Sequence, residues 1–210
     1  QTGLGKTYGY LLPALSMESE GGILVSVPTK ILQNQIMQEE GSRLKDTFHI
    51  DIHSLKGPQN YLKLDNFYKV LHRPESNRLF TRFKMQVLIW LTETETGDLD
   101  EIGQLYRYQH IIPELVHDGK LSKKSLFISE DFWQRSQDRA KSSRLLLTNH
   151  AYLVTRLEDD PEFVNNRLVI IDEAQKMLIA LENLAQESYL LDDLVTQVEK
   201  SLETEKDLIQ

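Results

Sequence analysis

Three short runs of apolar residues most constrain the fold of this 210-residue chain. They lie at residues 23–27, 144–148 and 167–171, and a proline or polar residues follow each run. Uninterrupted apolar runs that alternate with stretches of helical composition are typical of parallel strands buried on both faces of a sheet. The sequence therefore predicts an α/β fold built on a parallel sheet.

A long segment between the first two runs has a different composition. Residues 61–71, 77–92 and 101–117 are rich in helix formers and in Leu, Tyr and Phe. They predict a mainly helical insertion over residues 56–130. We expect the apolar packing of this insertion to include Tyr61, Phe67, Phe83, Leu88, Trp90 and Tyr106.

The acidic residues are concentrated near the end of the sequence. The net charge is −8, and residues 176–210 contain eight acidic and three basic residues, a net of −5, so the other residues carry −3. Bulk electrostatics therefore give no reason to expect a nucleic-acid partner, although a locally basic groove is compatible with the remainder. Apolar residues at the spacing of one helix face predict a helical arm over the same residues.

The composition also excludes several kinds of site. The chain has no cysteine, which rules out disulfides, thiolate zinc sites and cysteine-bound iron–sulfur clusters. The six histidines show no metal-binding spacing, so we expect no structural metal. No apolar run approaches the roughly 20 residues that cross a bilayer, and we expect a cytoplasmic protein without a membrane partner.

A glycine-rich motif opens the sequence. Residues 2–7 match the last six positions of the phosphate-binding loop G-x-x-x-x-G-K-T. In such a loop, Gly3, Gly5, Lys6 and Thr7 would bind the phosphates of ATP, and the Thr7 hydroxyl would bind magnesium. The first glycine of the pattern would precede residue 1, so we expect the chain to begin inside its loop. Taken alone, the short motif also fits a chance match.

A second motif follows the third apolar run. Asp172 and Glu173 stand directly after the run, where Asp172 would bind magnesium and Glu173 would polarise the attacking water. Acidic residues also favour helix N-termini without any catalytic role. The two motifs support each other, since core strands separate them, and together they indicate nucleotide hydrolysis with Lys6, Asp172 and Glu173 as catalytic residues.

Four sequence blocks resemble the DinG/XPD-like DNA helicases, which are RecA-like P-loop motors. The blocks are residues 2–7, 27–35, 147–153 and 171–175. The resemblance implies that single-stranded DNA contacts Thr29, Gln33, Gln35, Lys56, Asn60 and Tyr61. A polar helix start is the local alternative for residues 29–35. Tyr106, Arg107 and Tyr108 fit either a buried helix face or a patch that stacks on bases.

Three residues bear on this resemblance individually: Lys63, Gln175 and His150. Lys63 stands where the family has the first cysteine ligand of an iron–sulfur cluster, so the chain is similar to the cluster-free branch and we expect no cluster. Gln175 replaces the common histidine of the D-E-A-H box, and an amide cannot titrate. His150 would help to position the insertion or DNA, or it is a hydrogen-bonded residue at a strand end.

The resemblance implies an ATP-dependent helicase that moves 5′ to 3′ on single-stranded DNA and acts at duplex junctions. We expect motor-domain segments at residues 1–55 and 131–175, the insertion at 56–130, and the start of an arch-like domain at 176–210. A second motor domain of the same polypeptide would complete the ATP site. A nuclease-linked protein and a DNA-binding scaffold with a decayed ATP site are the alternatives.

Overall fold

The computed structural model describes residues 5–17, 21–74, 77–103 and 105–185, without the side chains of 105 and 106. Its strands are β1 (Ile23–Val27), β2 (Ile52–Ser54), β3 (Leu145–Asn149) and β4 (Leu168–Ile171). Its α-helices are α1 (Lys6–Ser16), α2 (Lys30–Ile36), α3 (Ser42–Phe48), α4 (Leu64–His72), α5 (Arg78–Leu91), α6 (Ile112–Leu115), α7 (Phe132–Ser142), α8 (His150–Asp159) and α9 (Met177–Ala185).

The four strands form one parallel sheet in the order β2-β3-β1-β4. Strands β1 and β3 are central and buried along their whole length, as the apolar runs predict. Alternate residues enter two different clusters: Val25 packs with Leu11 of α1, and Leu24 packs with Leu153 of α8. Helices therefore cover both faces of the sheet, and the predicted α/β fold is confirmed.

The strand β2 was not predicted. It has only three residues, of which Ile52 is buried while His53 and Ser54 are half-buried. A short edge strand of this kind lacks the apolar run that identified the central strands. Its position beside β3 nevertheless brings the start of the insertion close to the carboxyl end of the sheet.

The insertion has a separate apolar core. This core contains Tyr61, Phe67, Phe83 and Trp90 as predicted, and α4 and α5 supply several of its residues. The side chain of Tyr106 lies outside the described residues. Leu88 is 42% exposed, so its assignment to the core was wrong. The rings of Phe83 and Tyr108 are 4.4 Å apart, and the burial of Tyr108 agrees with packing rather than base stacking.

Two helical segments of the structure are irregular. Residues 101–117 form short helical turns and α6 instead of one long helix, because Gly103 and Pro113 interrupt the regular pattern. The helix α2 continues through a π turn (Met37–Gly41) into α3, which ends at His49 with a φ of 53°.

The arm begins as predicted with α9, and its continuation over residues 186–210 lies outside the described residues. Within the described ranges, every helix is too short or too polar to cross a bilayer.

Candidate nucleotide site and strand-end surface

The carboxyl ends of the central strands bring the predicted site residues to one edge of the sheet. Asp172 and Glu173 follow β4, His150 follows β3, and Thr29 lies two residues after β1. Open parallel sheets bind their ligands at this edge, because the connecting loops diverge there and leave a crevice. We call this edge, with the N-terminus of α1, the strand-end surface.

The N-terminus of α1 provides the described part of the glycine motif. Gly5 has a φ of 80°, a left-handed conformation that glycine adopts without a steric cost. The helix begins at Lys6, and its first backbone bond runs from the Gly9 N–H to the Gly5 carbonyl at 2.8 Å. The N–H groups of such a helix start bind phosphate well. Gly3 lies outside the described residues.

Tyr10 interacts with both Thr7 and Asp172. This interaction was not predicted from the sequence. The pKa of Tyr10 is raised to about 12, chiefly by burial and next by the Asp172 carboxylate, while the Thr7 hydroxyl acts in the opposite direction. Its Oη atom is buried and has no hydrogen-bond partner among the described residues. Thr7, Tyr10 and Asp172 therefore lie close together at one point of the strand-end surface.

Glu173 lies beside the same point. The Lys176 ammonium, 2.6 Å from the Glu173 carboxylate, lowers the pKa of Glu173, and Lys6 contributes to the same shift. The structure thus brings Lys6 of the first motif near Glu173 of the second. Glu173 has φ 48° and ψ 53°, and a left-handed non-glycine residue costs about 1–3 kcal/mol and is concentrated at functional sites.

The donor atoms at this point fit magnesium. Thr7 offers a hydroxyl, Asp172 offers a carboxylate, and the Tyr10 hydroxyl is an unpaired polar group that a bound water could satisfy. Magnesium prefers oxygen ligands and usually combines one or two carboxylates with substrate phosphates. Among the described residues, no group of three or more His, Cys, Asp or Glu could bind a metal ion by itself.

His150 is buried and hydrogen-bonded on both ring nitrogens. Its Nδ1 atom lies 2.7 Å from the Ser26 hydroxyl, and its Nε2 atom lies 3.0 Å from the Asp172 carbonyl oxygen. The side chain therefore contacts β1 and the residue after β4. This geometry agrees with a hydrogen-bonded strand-end histidine and leaves no exposed ring atom for direct contact with DNA.

Two of the six residues implied as DNA contacts are exposed. Thr29 and Gln35 lie on the surface of α2 or at its start. The Thr29 hydroxyl also accepts a hydrogen bond from the Leu32 N–H at 3.2 Å, which caps the helix. Exposed Lys30, between them in sequence, adds a positive charge near the strand-end surface.

The other four residues are buried and have partners within the protein. Gln33 donates to the carbonyl oxygens of Leu55 and Leu147, and Tyr61 contacts the Ser136 hydroxyl at 2.9 Å. Their burial prevents these side chains from reaching DNA in this conformation. The implied contacts at Gln33, Lys56, Asn60 and Tyr61 are therefore revised to packing and positioning roles.

A buried ion-pair cluster joins the start of α2 to the insertion. Lys56 is 2% exposed, directly contacts Asp98, and lies 3.0 Å from Asp100. Lys30 donates to the Asn60 side-chain oxygen at 2.6 Å and lies 4.0 Å from Asp100. Burial raises the pKa of Asp98 despite the adjacent Lys56. Sequence reasoning missed both aspartates because they lie far from Lys56 along the chain.

The two departures from the family pattern have different surroundings. Lys63, at the position of a cluster ligand, pairs with Asp118. Gln175 is exposed in a helical turn (Ala174–Lys176) directly after Glu173. One departure therefore lies inside the insertion, while the other is accessible at the strand-end surface.

Comparisons with known proteins identify a matching family and similar sequences. Residues 1–101 match the model of the DEAD/DEAH box helicase family. The chain is similar to the 3'-5' exonuclease DinG of Bacillus subtilis, with 34% identity over 186 residues, 82% of this chain and 19% of the relative. It is also similar to the 3'-5' exonuclease DinG of Staphylococcus saprophyticus, with 31% identity over 183 residues, 83% of this chain and 19% of the relative. The chain thus spans about a fifth of the length of these relatives.

Proposed function

Because this chain is a DinG-like member of the DEAD/DEAH box helicases, we propose that its protein couples ATP hydrolysis to movement along single-stranded DNA. Movement from 5′ to 3′ and the separation of strands at duplex junctions follow from the same resemblance. The observation that supports the motor role best is the electrostatic coupling of the two motifs: Asp172 and Thr7 both act on the pKa of Tyr10, and Lys6 helps to lower the pKa of Glu173.

Each residue at this point has a defined task in the proposal. Gly3, Gly5 and the N-terminus of α1 bind phosphate oxygens through backbone N–H groups, and Lys6 binds the terminal phosphates. Thr7 and Asp172 bind magnesium, which neutralises phosphate charge during transfer. Glu173 orients the attacking water and accepts its proton. Lys176 must release the Glu173 carboxylate for this step, since the two now form an ion pair.

The DNA surface in the proposal is the exposed side of α2 together with its N-cap residue. Thr29 and Gln35 contact phosphates through a hydroxyl and an amide, and these contacts are independent of base sequence. The buried residues Gln33, Lys56, Asn60 and Tyr61 set the position of this surface without touching DNA.

The domain organisation remains part of the proposal. Residues 1–55 and 131–175 belong to the first motor domain, residues 56–130 form the insertion without an iron–sulfur cluster, and residues 176–210 begin an arch-like domain. A second motor domain of the same cytoplasmic protein contacts the exposed Gln175 and supplies an arginine to the phosphates.

The decisive experiment is a substitution of Glu173 in the intact protein. Glu173→Gln keeps the shape of the side chain but removes its basicity, so DNA-stimulated phosphate release should fall by about 10²-fold to 10⁴-fold while nucleotide binding survives. Glu182→Gln, an acid-to-amide change in α9, is a matched control and should leave both quantities unchanged. Equal phosphate release by Glu173→Gln and the unchanged protein would favour a scaffold with a decayed site.

A nuclease is the second candidate function, and the name 3'-5' exonuclease DinG of both relatives favours it. The described residues of this chain contain no cluster of acids or histidines that could bind a metal ion. A nuclease site of the same polypeptide would therefore use other residues. Degradation of 3′-labelled single-stranded DNA that is equal in the Glu173→Gln variant would support separate motor and nuclease sites.

A further inference from the structure

His150 occupies a central position that the proposed chemistry does not use. The side chain is 1% exposed and lies between Ser26 on β1 and Asp172 after β4. It is the first residue of α8, directly after the buried strand β3. The ring therefore joins the ends of three neighbouring strands at the level of the two carboxylates.

The hydrogen-bond partners define the state of the ring. The Asp172 carbonyl oxygen can only accept, so the His150 Nε2 atom must donate to it. In a neutral ring the Nδ1 atom then accepts from the Ser26 hydroxyl, which can donate. Burial lowers the pKa of His150 and favours this neutral form. Both ring nitrogens are thus fully used inside the protein.

His150 fixes the peptide group that joins Asp172 to Glu173. Its carbonyl oxygen accepts from His150, while the Asp172 N–H donates to the Ser26 carbonyl at 2.9 Å. Glu173, on the other side of this peptide, has the left-handed φ of 48°. A rotation of the peptide would change φ of Glu173 and turn its carboxylate away from Lys6 and the strand-end surface.

We propose that His150 is a positioning residue for Glu173, because its Nε2–H fixes the Asp172 carbonyl and so maintains the left-handed turn that aims the Glu173 carboxylate. The proposal rests on the proposed ATPase function. A displaced carboxylate would still allow nucleotide to bind at α1, since the hydrogen bonds of the His150 ring go to Ser26 and Asp172 and not to Gly5, Lys6 or Thr7. Loss of the bond should therefore lower turnover without weakening nucleotide binding.

Two amide substitutions distinguish the hydrogen bonds of the two ring nitrogens. In the intact protein, His150→Gln places an N–H near the former Nε2 position and can still donate to Asp172. His150→Asn places its amide near the former Nδ1 position and cannot reach Asp172. We expect DNA-stimulated kcat to fall ~10- to 100-fold in His150→Asn and less than ~3-fold in His150→Gln. The KM for ATP and the affinity for a fluorescent nucleotide should stay within about twofold in both.

Stability measurements and two further variants make the outcome decisive. The thermal unfolding midpoints of the two amide variants should be similar, and Ser26→Ala, which leaves the Asp172 bond intact, should behave like His150→Gln. Equal kcat in the two amide variants, or a KM that rises with the loss of kcat, would overturn the positioning role. If Glu173→Gln itself retains turnover, the ATPase function fails instead. If Glu173→Gln loses turnover and His150→Asn does not, only the role of His150 fails.

Discussion

The Nζ atom of Lys63 lies 2.5 Å from the Oδ1 atom of Asp118. Lys63 also donates to the Lys120 carbonyl oxygen at 3.1 Å, and its backbone N–H donates to Leu115 at 2.9 Å. The residue at the position of a cluster ligand thus joins the start of the insertion to a segment about 50 residues later. An ion pair and the neighbouring apolar core connect these segments.

This ion pair predicts a weak loss of stability in acid. Lys63 lowers the pKa of Asp118 from 3.8 to about 2. The ionised carboxylate therefore stabilises the folded state at pH values above its ordinary pKa of 3.8. The contribution should disappear as the pH falls through about 2. Urea unfolding of Asp118→Asn should show a small deficit at pH 7 that shrinks below pH ~4. A deficit that stays constant down to the lowest pH would contradict an ionic origin.

The insertion core predicts a strong contrast between two apolar residues. Phe83 is fully buried against Tyr108, whereas Leu88 on the same helix is 42% exposed. Phe83→Ala should lower the free energy of unfolding by about 3–5 kcal/mol because it leaves a cavity. Leu88→Ala is the matched control and should change it by less than about 0.5 kcal/mol. Urea unfolding curves of the two variants would reverse this order if Leu88 were the core residue.

Strands β1, β3 and β4 could be predicted because each coincides with a short apolar run, although β4 lies at an edge of the sheet and exposes Val169 and Ile171. The strand β2 could not, since only Ile52 among its three residues is buried. The sequence pattern of residues 101–117 favoured a helix, but tertiary contacts of Tyr108 and Leu115 with the insertion core stabilise short turns instead. Local composition therefore identified the buried central elements and failed where long-range packing selects the conformation.

The candidate site likewise combines residues that local sequence motifs identify with contacts that only the fold determines. The phosphate motif and the Asp172–Glu173 pair are local patterns whose chemistry requires those residue types, so sequence alone located them. The environment of Lys56 depends on Asp98, 42 positions away, and no local pattern records that contact. The family resemblance implied a DNA contact for Lys56, whereas the fold buries this side chain. The position of Tyr10 beside Asp172 also could not be predicted without the sheet topology.

Because Lys56 is buried, we expect its removal to lower the stability of the folded protein. Lys56→Met leaves the partly buried carboxylates of Asp98 and Asp100 without their cation, so we expect about 3–5 kcal/mol lower stability. Adding Asp98→Asn should restore part of the loss, because one uncompensated charge is removed. The affinity of this double variant for single-stranded DNA should stay within about twofold. A selective loss of DNA affinity at normal stability would return Lys56 to the DNA surface.

Lys6 predicts a defect that differs from that of Glu173. Lys6→Ala removes a charged donor to the terminal phosphates, so nucleotide affinity should fall by about 10-fold to 100-fold. Lys45→Ala, which removes a lysine of α3 away from the glycine motif, is the control. Calorimetric titration of the intact protein with ATP and magnesium would measure both. Unchanged affinity in Lys6→Ala would exclude its phosphate contact.

Two glutamines of α2 separate positioning from DNA contact. Gln35 is exposed, so Gln35→Ala should leave the unfolding midpoint unchanged and lower affinity for single-stranded DNA about 2-fold to 10-fold, the effect of one hydrogen bond. Gln33 is fully buried, and Gln33→Ala would leave the Leu55 and Leu147 carbonyls without its amide, which should cost about 1–3 kcal/mol of stability. Fluorescence anisotropy with labelled DNA and urea unfolding would measure the two quantities. If Gln35→Ala binds DNA normally across a salt titration, the exposed surface of α2 does not contact the phosphates, and the DNA path must follow another part of the strand-end surface.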